Sequence, residues 1–122
     1  MEIVLQAAEL DANGMVCDFK AVKMAVGEWL DTFDHSLCMN TDDPMYPALK
    51  AAYGERVIGF DATEPTTEVL ARTFFNRIRE LLRAYADLPE APYKLGENVR
   101  LVRVRVWETS SSWAEYESGE DS

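Results

Sequence analysis

Two apolar stripes at helical spacing, one after the other in the chain, restrict the possible folds more than any other feature. Phe19, Val22, Val26, Trp29, Leu30 and Phe33 form the first, with Lys20, Lys23, Glu28 and Asp31 falling mostly elsewhere. Leu70, Phe74, Ile78, Leu81 and Tyr85 form the second. A helix of this kind is held mainly by burial of its stripe, so each needs an apolar surface to cover. The flanking segments supply one. Ile3, Leu5 and Ala7 alternate with Glu2, Val4 and Gln6, and Val102, Val104 and Val106 alternate with Arg103, Arg105 and Trp107. The stretch Val99 to Tyr116 reads as two strands joined by a turn. The order is then strand, helix, helix, strand, strand. Its simplest packing lays both consecutive helices side by side on one face of an antiparallel sheet, an α+β domain of two layers.

Local signals set the boundaries. Asp11-Ala12-Asn13-Gly14 is a turn, and Asp18 is a good N-cap for the first helix, which ends near Asp34-His35. Thr66 or Thr67 starts the second helix, with Glu68 in the first turn, where the helix dipole favours negative charge. Residues 36–65 are the least regular, broken by Asp42-Asp43-Pro44, Pro47, Gly54 and Gly59. Within them Pro47 to Tyr53 suits a helical turn or two, and Arg56 to Phe60 a short extended piece. So long a connection is a candidate for lining a site. The chain of 122 residues is expected to form one domain over 1–116, with an acidic tail at 117–122.

A formal net charge of −10 argues against nucleic acid as a partner, because phosphate neutralisation needs clustered Lys and Arg. Arg72, Arg77, Arg79 and Arg83 are the largest basic group, and Glu80 interrupts them, which fits a solvated helix face. No apolar run reaches the roughly 18 residues of a membrane span. The opening Met1-Glu2-Ile3-Val4-Leu5-Gln6 has no basic segment or cleavage site of a signal peptide, so the expected location is cytoplasmic. Cys17 and Cys38 form no metal-type spacing and read as reduced packing residues.

Three polar features stand at element ends. Glu108 closes the row Val102, Val104, Val106, and a carboxylate there is solvated at a rim, paired, or held for a ligand that brings its own donors. His35, the sole histidine, follows Asp34 at a helix end and reads by default as a surface residue stabilised by the dipole. Thr66-Thr67-Glu68 is by default a helix cap.

Together these features resemble one family. Leu10-Asp11-x-x-Gly14-Met15-Val16-x-Asp18-Phe19, Asp34-His35, Pro65-Thr66-Thr67-Glu68, and Val104-Arg105-Val106-Trp107-Glu108-Thr109 followed by Ser112-Trp113-Ala114-Glu115-Tyr116 occur in the order seen in the 6-pyruvoyl-tetrahydropterin and 6-carboxy-tetrahydropterin synthases. The resemblance covers Met1 to Tyr116 and implies the tunnelling fold, with the first strand missing. It implies that Glu108 anchors a pterin by accepting from the ring N3 and the 2-amino group, and that Thr66, Thr67 and Glu68 help hold it. Asp34 and His35 would be the catalytic proton relay, the carboxylate orienting the imidazole. The implied reaction is a carbon–oxygen lyase step on dihydroneopterin triphosphate, and the implied partner beyond the pterin is a second copy of the chain, in trimers that pair into hexamers.

One part of the family pattern has no counterpart. A cysteine base and three zinc-binding histidines precede or accompany the first strands of the family, whereas this sequence has one histidine. The expectation is therefore no metal site and no cofactor in this chain, with weak lyase activity or none. Cys38, three residues past His35, is a candidate substitute base only if its surroundings activate it. The abrupt start fits either a longer protein or a shortened family member. The competing reading is a non-catalytic pterin-binding or assembly module that keeps only the fold.

Overall fold

A computed structural model describes residues 1–7, 17, 19–33, 36–90, 93, 95, 99–107 and 112–117. The elements run β1 (Glu2–Ala7), α1 (Phe19–Asp31), β2 (Leu37–Asn40), α2 (Tyr46–Tyr53), a short 3-10 turn (Gly54–Arg56), β3 (Val57–Phe60), α3 (Thr67–Ala86), β4 (Val99–Trp107) and β5 (Trp113–Glu117). The turn at Asp11–Gly14 and the cap at Asp18 lie outside the described residues.

The α+β reading holds. β1, β4 and β5 form an antiparallel sheet in the order β1-β4-β5. α3 lies across β4 and β5, and α1 packs beside α3. The core joins Ala21 and Val26 of α1, Phe74, Phe75, Ile78, Leu82 and Tyr85 of α3, and Leu101 and Val104 of β4, with Ile3 and Leu5 of β1 against its edge. The helical stripes are rotated slightly from their expected centres. Ala21 is fully buried while Phe19, at the edge of that arc and first in the helix, is 76% exposed. On α3 the arc is centred on Phe75 and Ile78, and Leu70 and Leu81 flank it half-buried. Of the four arginines of α3, Arg72, Arg77 and Arg83 are exposed, with Arg77 paired to Glu80 at 3.2 Å, whereas Arg79 is half-buried with its guanidinium 5.4 Å from the Phe75 ring centroid. No described helix is long and apolar enough to cross a membrane.

The expected unbroken row on β4 needs correction. Val4 pairs with Arg103 but Leu5 pairs with Leu101, so Val102 is the extra residue of a β-bulge. The bulge shifts the alternation by one position. Val99 and Leu101 face the core before it, and Val104 and Val106 after it. Parity counted from one end of the strand places Val102 on the wrong row, because a bulge leaves no trace in apolar residues on both sides of it.

The opposite face of the sheet is charged. Arg105 donates to Glu115 Oε1 through Nε at 3.0 Å and Nη2 at 2.7 Å. Arg103 lies between Glu2 and Glu117, at 3.6 and 3.7 Å. Trp107 and Trp113 are cross-strand partners with ring centroids 4.9 Å apart, and the Arg105 guanidinium sits 4.7 Å from the Trp113 ring. The hydrogen bonds from Arg105, above all, hold the Glu115 carboxyl below its ordinary value of 4.5. A depressed carboxyl contributes stability above its unfolded value and loses it as the pH falls through the folded one. Between about pH 5 and about pH 3 the wild type should therefore lose more thermal stability than Glu115→Gln, which has no such proton to take up. Equal losses in the two proteins would remove this pairing as a source of acid sensitivity.

The second correction concerns residues 36–65. The helical turn and the extended piece are present as α2 and β3, but β2 was not expected, and it pairs in parallel with β3 from Leu37↔Val57 to Asn40↔Phe60. The two main helices are thus separated by a small β-α-β unit rather than by a loop. Leu37-Cys38-Met39-Asn40 is too short to show a period, and only its pairing with β3 defines it. Inside the unit Met39 and Val57 are buried. Lys50 Nζ donates to the Val57 carbonyl at 2.9 Å, fastening α2 onto β3. Gly59 sits at a close approach, since a Cβ there would stand 2.7 Å from Tyr46 Oη and would force the tyrosine to move. The turn after β3 contains Ala62 at φ 48°, a left-handed conformation that costs a residue with a Cβ about 1 kcal/mol or more.

Candidate functional site

Of the six residues singled out in the sequence, the structure describes three. Thr66 is the N-cap of α3, extended in backbone, and its hydroxyl accepts from the Val69 N–H at 3.2 Å. Thr67 is the first helical residue and half-buried; Glu68 is exposed in the first turn. The cap reading of this run is therefore fulfilled by Thr66 alone, which leaves the Thr67 hydroxyl and the Glu68 carboxylate without a capping duty. Asp34, His35 and Glu108 lie outside the described residues.

The elements that lead to all three stretches end on the same side of the molecule. Phe33, the residue before Asp34, stacks edge-on against Phe74 of α3 with centroids 4.8 Å apart, and Trp29 meets the same ring at 5.4 Å. Thr67 lies about 10 Å further along α3, two helical turns before Phe74. The neighbouring Phe75 packs on Tyr116 of β5 at 5.0 Å, and Tyr116 is opposite Val104 in register. Trp107, the residue before Glu108, lies about 10 Å beyond Val104. At the other end of α3 the Tyr85 hydroxyl donates to the Tyr93 carbonyl, on the approach to β4, so α3 and β4 run antiparallel. The start of α3 and the end of β4 consequently point the same way.

The chain on either side of Asp34-His35 is drawn together. The Ser36 N–H donates to the Phe33 carbonyl at 3.3 Å, and Ser36 Oγ donates to the Thr32 carbonyl at 2.6 Å. Cys38 does not meet the condition for a substitute base. Burial pushes its thiol upward, away from the thiolate form that a base requires.

Sequence reasoning missed a polar group beside the second stretch. Asn40, at the end of β2, donates from Nδ2 to Glu64 Oε1 at 3.1 Å and accepts the Asp42 N–H at 2.9 Å. Thr41 Oγ1 accepts the Ala62 N–H at 2.9 Å. The signal available beforehand was an Asn-Thr pair directly ahead of Asp-Asp-Pro, which reads only as a turn.

This arrangement of elements and motifs meets an independent match. Residues 1–119 match the family described as 6-pyruvoyl tetrahydropterin synthase. The chain belongs to this family. It is 36% identical over 119 residues to the 6-carboxy-5,6,7,8-tetrahydropterin synthase of Aquifex aeolicus, covering 95% of this chain and 68% of that protein. An uncharacterised protein from Wolinella succinogenes has the same fold, with a TM-score of 0.70 at 19% identity over 96% of this chain and 74% of that one.

The zinc of the pterin synthases does not fit the donors present. Three imidazoles are needed, and these 122 residues contain His35 alone. Among the described residues no group of three or more His, Cys, Asp or Glu side chains is placed to hold a metal ion. The six singled-out residues comprise three acids, Asp34, Glu68 and Glu108, one imidazole, His35, and two hydroxyls, Thr66 and Thr67.

Proposed function

We propose that this chain is a cytoplasmic pterin synthase-type protein that binds a dihydroneopterin-type pterin and performs the family lyase step weakly or not at all. Glu108 accepts from the pterin N3–H and 2-amino group through its two oxygens, a bidentate pairing in which both donors meet an ionised acceptor. Thr66, Thr67 and Glu68 help to hold the ring. His35 takes and returns protons, and Asp34 orients its imidazole and favours the charged form. What supports this reading is the family match over 1–119 together with the retention of four motifs in family order. What limits it to recognition is the single histidine.

The same histidine count favours a second reading, a non-catalytic pterin-binding or assembly module. Calorimetric titration of the 122-residue protein with 7,8-dihydroneopterin, with elemental analysis and a turnover assay on dihydroneopterin triphosphate, tests both. Saturable binding near one pterin per chain, zinc far below one equivalent and slow turnover are expected. No binding would overturn the proposal, zinc near one equivalent would overturn its metal-free form, and turnover above background would exclude the second, non-catalytic reading. Self-association is part of the proposal. β1 and β5 are the edges of the described sheet, and an open edge is a template for another chain. A light-scattering mass of three or six chains is expected.

A further inference from the structure

The β-α-β unit and the start of α3 are joined at one place, and the joint is built from side chains. β2 and β3 are parallel, so both finish at the same end, β2 in Asn40 and β3 in Phe60. Thr41 continues from β2 and spans the gap: its N–H donates to the Phe60 carbonyl at 3.0 Å and its hydroxyl accepts the Ala62 N–H at 2.9 Å. The same hydroxyl lies 3.5 Å from Asp61 Oδ1. Asn40 reaches one step further along, to Glu64, whose own carbonyl accepts the Thr66 N–H at 2.9 Å. Phe60, Asp61, Ala62 and Glu64 are thus bonded directly to Asn40 or Thr41, and Thr63 and Thr66 through one neighbour. The residue held by Thr41 is also the one in strained backbone, Ala62 at φ 48°. Strain of that kind persists only where the surroundings enforce it.

We propose that Thr41, seconded by Asn40, is a positioning residue for the pterin site: it fixes where the Pro65-Thr66-Thr67-Glu68 run stands relative to the segment that follows Asp34-His35. The inference rests on the proposed role of that run in holding the pterin. β2 begins two residues after His35, so one short strand carries the proton-relay stretch at its start and the clasp at its end. A slack clasp lets the ring-binding run shift relative to β2, the strand that follows the relay stretch in sequence. Misplacement on the scale of 1 Å is enough to weaken a site whose groups act together. Thr41 does not touch the pterin in this account and works through the backbone of Ala62.

The test compares Thr41→Val, which keeps the shape and removes the hydroxyl, with Thr41→Ser, which restores it. Glu64→Ala opens the Asn40 half of the clasp. Ala51→Gly, in exposed α2, lowers the stability of the same unit without touching the clasp. Each protein is titrated with 7,8-dihydroneopterin, unfolded in urea, and followed by amide hydrogen exchange at residues 64–69. Thr41→Val should bind about tenfold more weakly and exchange faster at 64–69, Glu64→Ala should change in the same direction, and Thr41→Ser should stay within about twofold of wild type. Ala51→Gly should lose a comparable urea midpoint and keep its affinity. Wild-type affinity and exchange in a folded Thr41→Val would overturn the proposal, as would a loss of affinity in Ala51→Gly that follows its loss of stability. A wild type that binds no pterin fails at the proposed function instead, and then the positioning role falls with it, whereas unchanged exchange at 64–69 removes the clasp alone.

Discussion

Glu108→Ala is expected to weaken binding of a reduced pterin by about 100-fold or more, with no change in fold. Two hydrogen bonds from ring donors to one ionised carboxylate are each stronger than neutral pairs, and losing both costs about 3 kcal/mol or more. Glu108→Gln separates charge from shape. Its amide keeps one acceptor but turns an NH2 toward a donor of the ring, so the loss should be nearly as large as for alanine. Glu108→Asp keeps both oxygens on a shorter stem and should fall between wild type and alanine. Calorimetry gives the affinities and circular dichroism the fold. If Glu108→Ala bound 7,8-dihydroneopterin within about threefold of wild type, the bidentate anchor would have to be sought elsewhere.

The largest effect on stability belongs to Phe75. It is 1% exposed, packs on Tyr116 of β5, and joins the helix layer to the sheet next to Val104. Removing such a ring leaves a cavity as well as losing its transfer free energy, about 3–5 kcal/mol for Phe→Ala. Domains of this size are stable by only about 5–15 kcal/mol, so Phe75→Ala should lower the thermal midpoint by roughly 12–20 °C or leave the protein unfolded at physiological temperature. Phe19→Ala is the matched control. Phe19 belongs by sequence to the apolar stripe of α1, yet it is 76% exposed, and its truncation should change stability by no more than about 0.5 kcal/mol. Urea unfolding of the two variants decides it. Equal losses would mean that the α1 stripe, not the arc through Ala21 and Val26, faces the core.

The two phenylalanines also show how far the sequence could be read. Periodicity located both helices, because a stripe that must be buried repeats at the pitch of the helix whatever lies beneath it. It did not fix the rotation of either helix about its axis, since Ala21 and Phe75 are added to the arc by what they meet across it. Thr66 was legible as a cap because capping is local: its hydroxyl reaches an amide three residues on. β2 was not legible, and neither was the bulge at Val102, because both are defined by a partner strand distant in sequence.

The candidate site divides along the same line. Glu108 stands out as an acid closing an apolar row, whereas His35 and Thr66-Thr67-Glu68 read alone as a helix-end histidine and a cap, and it is the order of their motifs that indicates the family without any coordinates. That Thr41 holds Ala62 is invisible in the chain, since the two are 21 residues apart and each is unremarkable alone. The sequence by itself determined the α+β class, the helix start at Thr66 or Thr67 and the resemblance to the pterin synthase family, because those rest on periodicity, local hydrogen bonding and motif order. Only the tertiary structure decided the rotation of the helices, the bulge, the parallel β2–β3 pair and the clasp on Ala62. Those features exist only as contacts between segments, and their free energy depends on which partners the fold brings within reach.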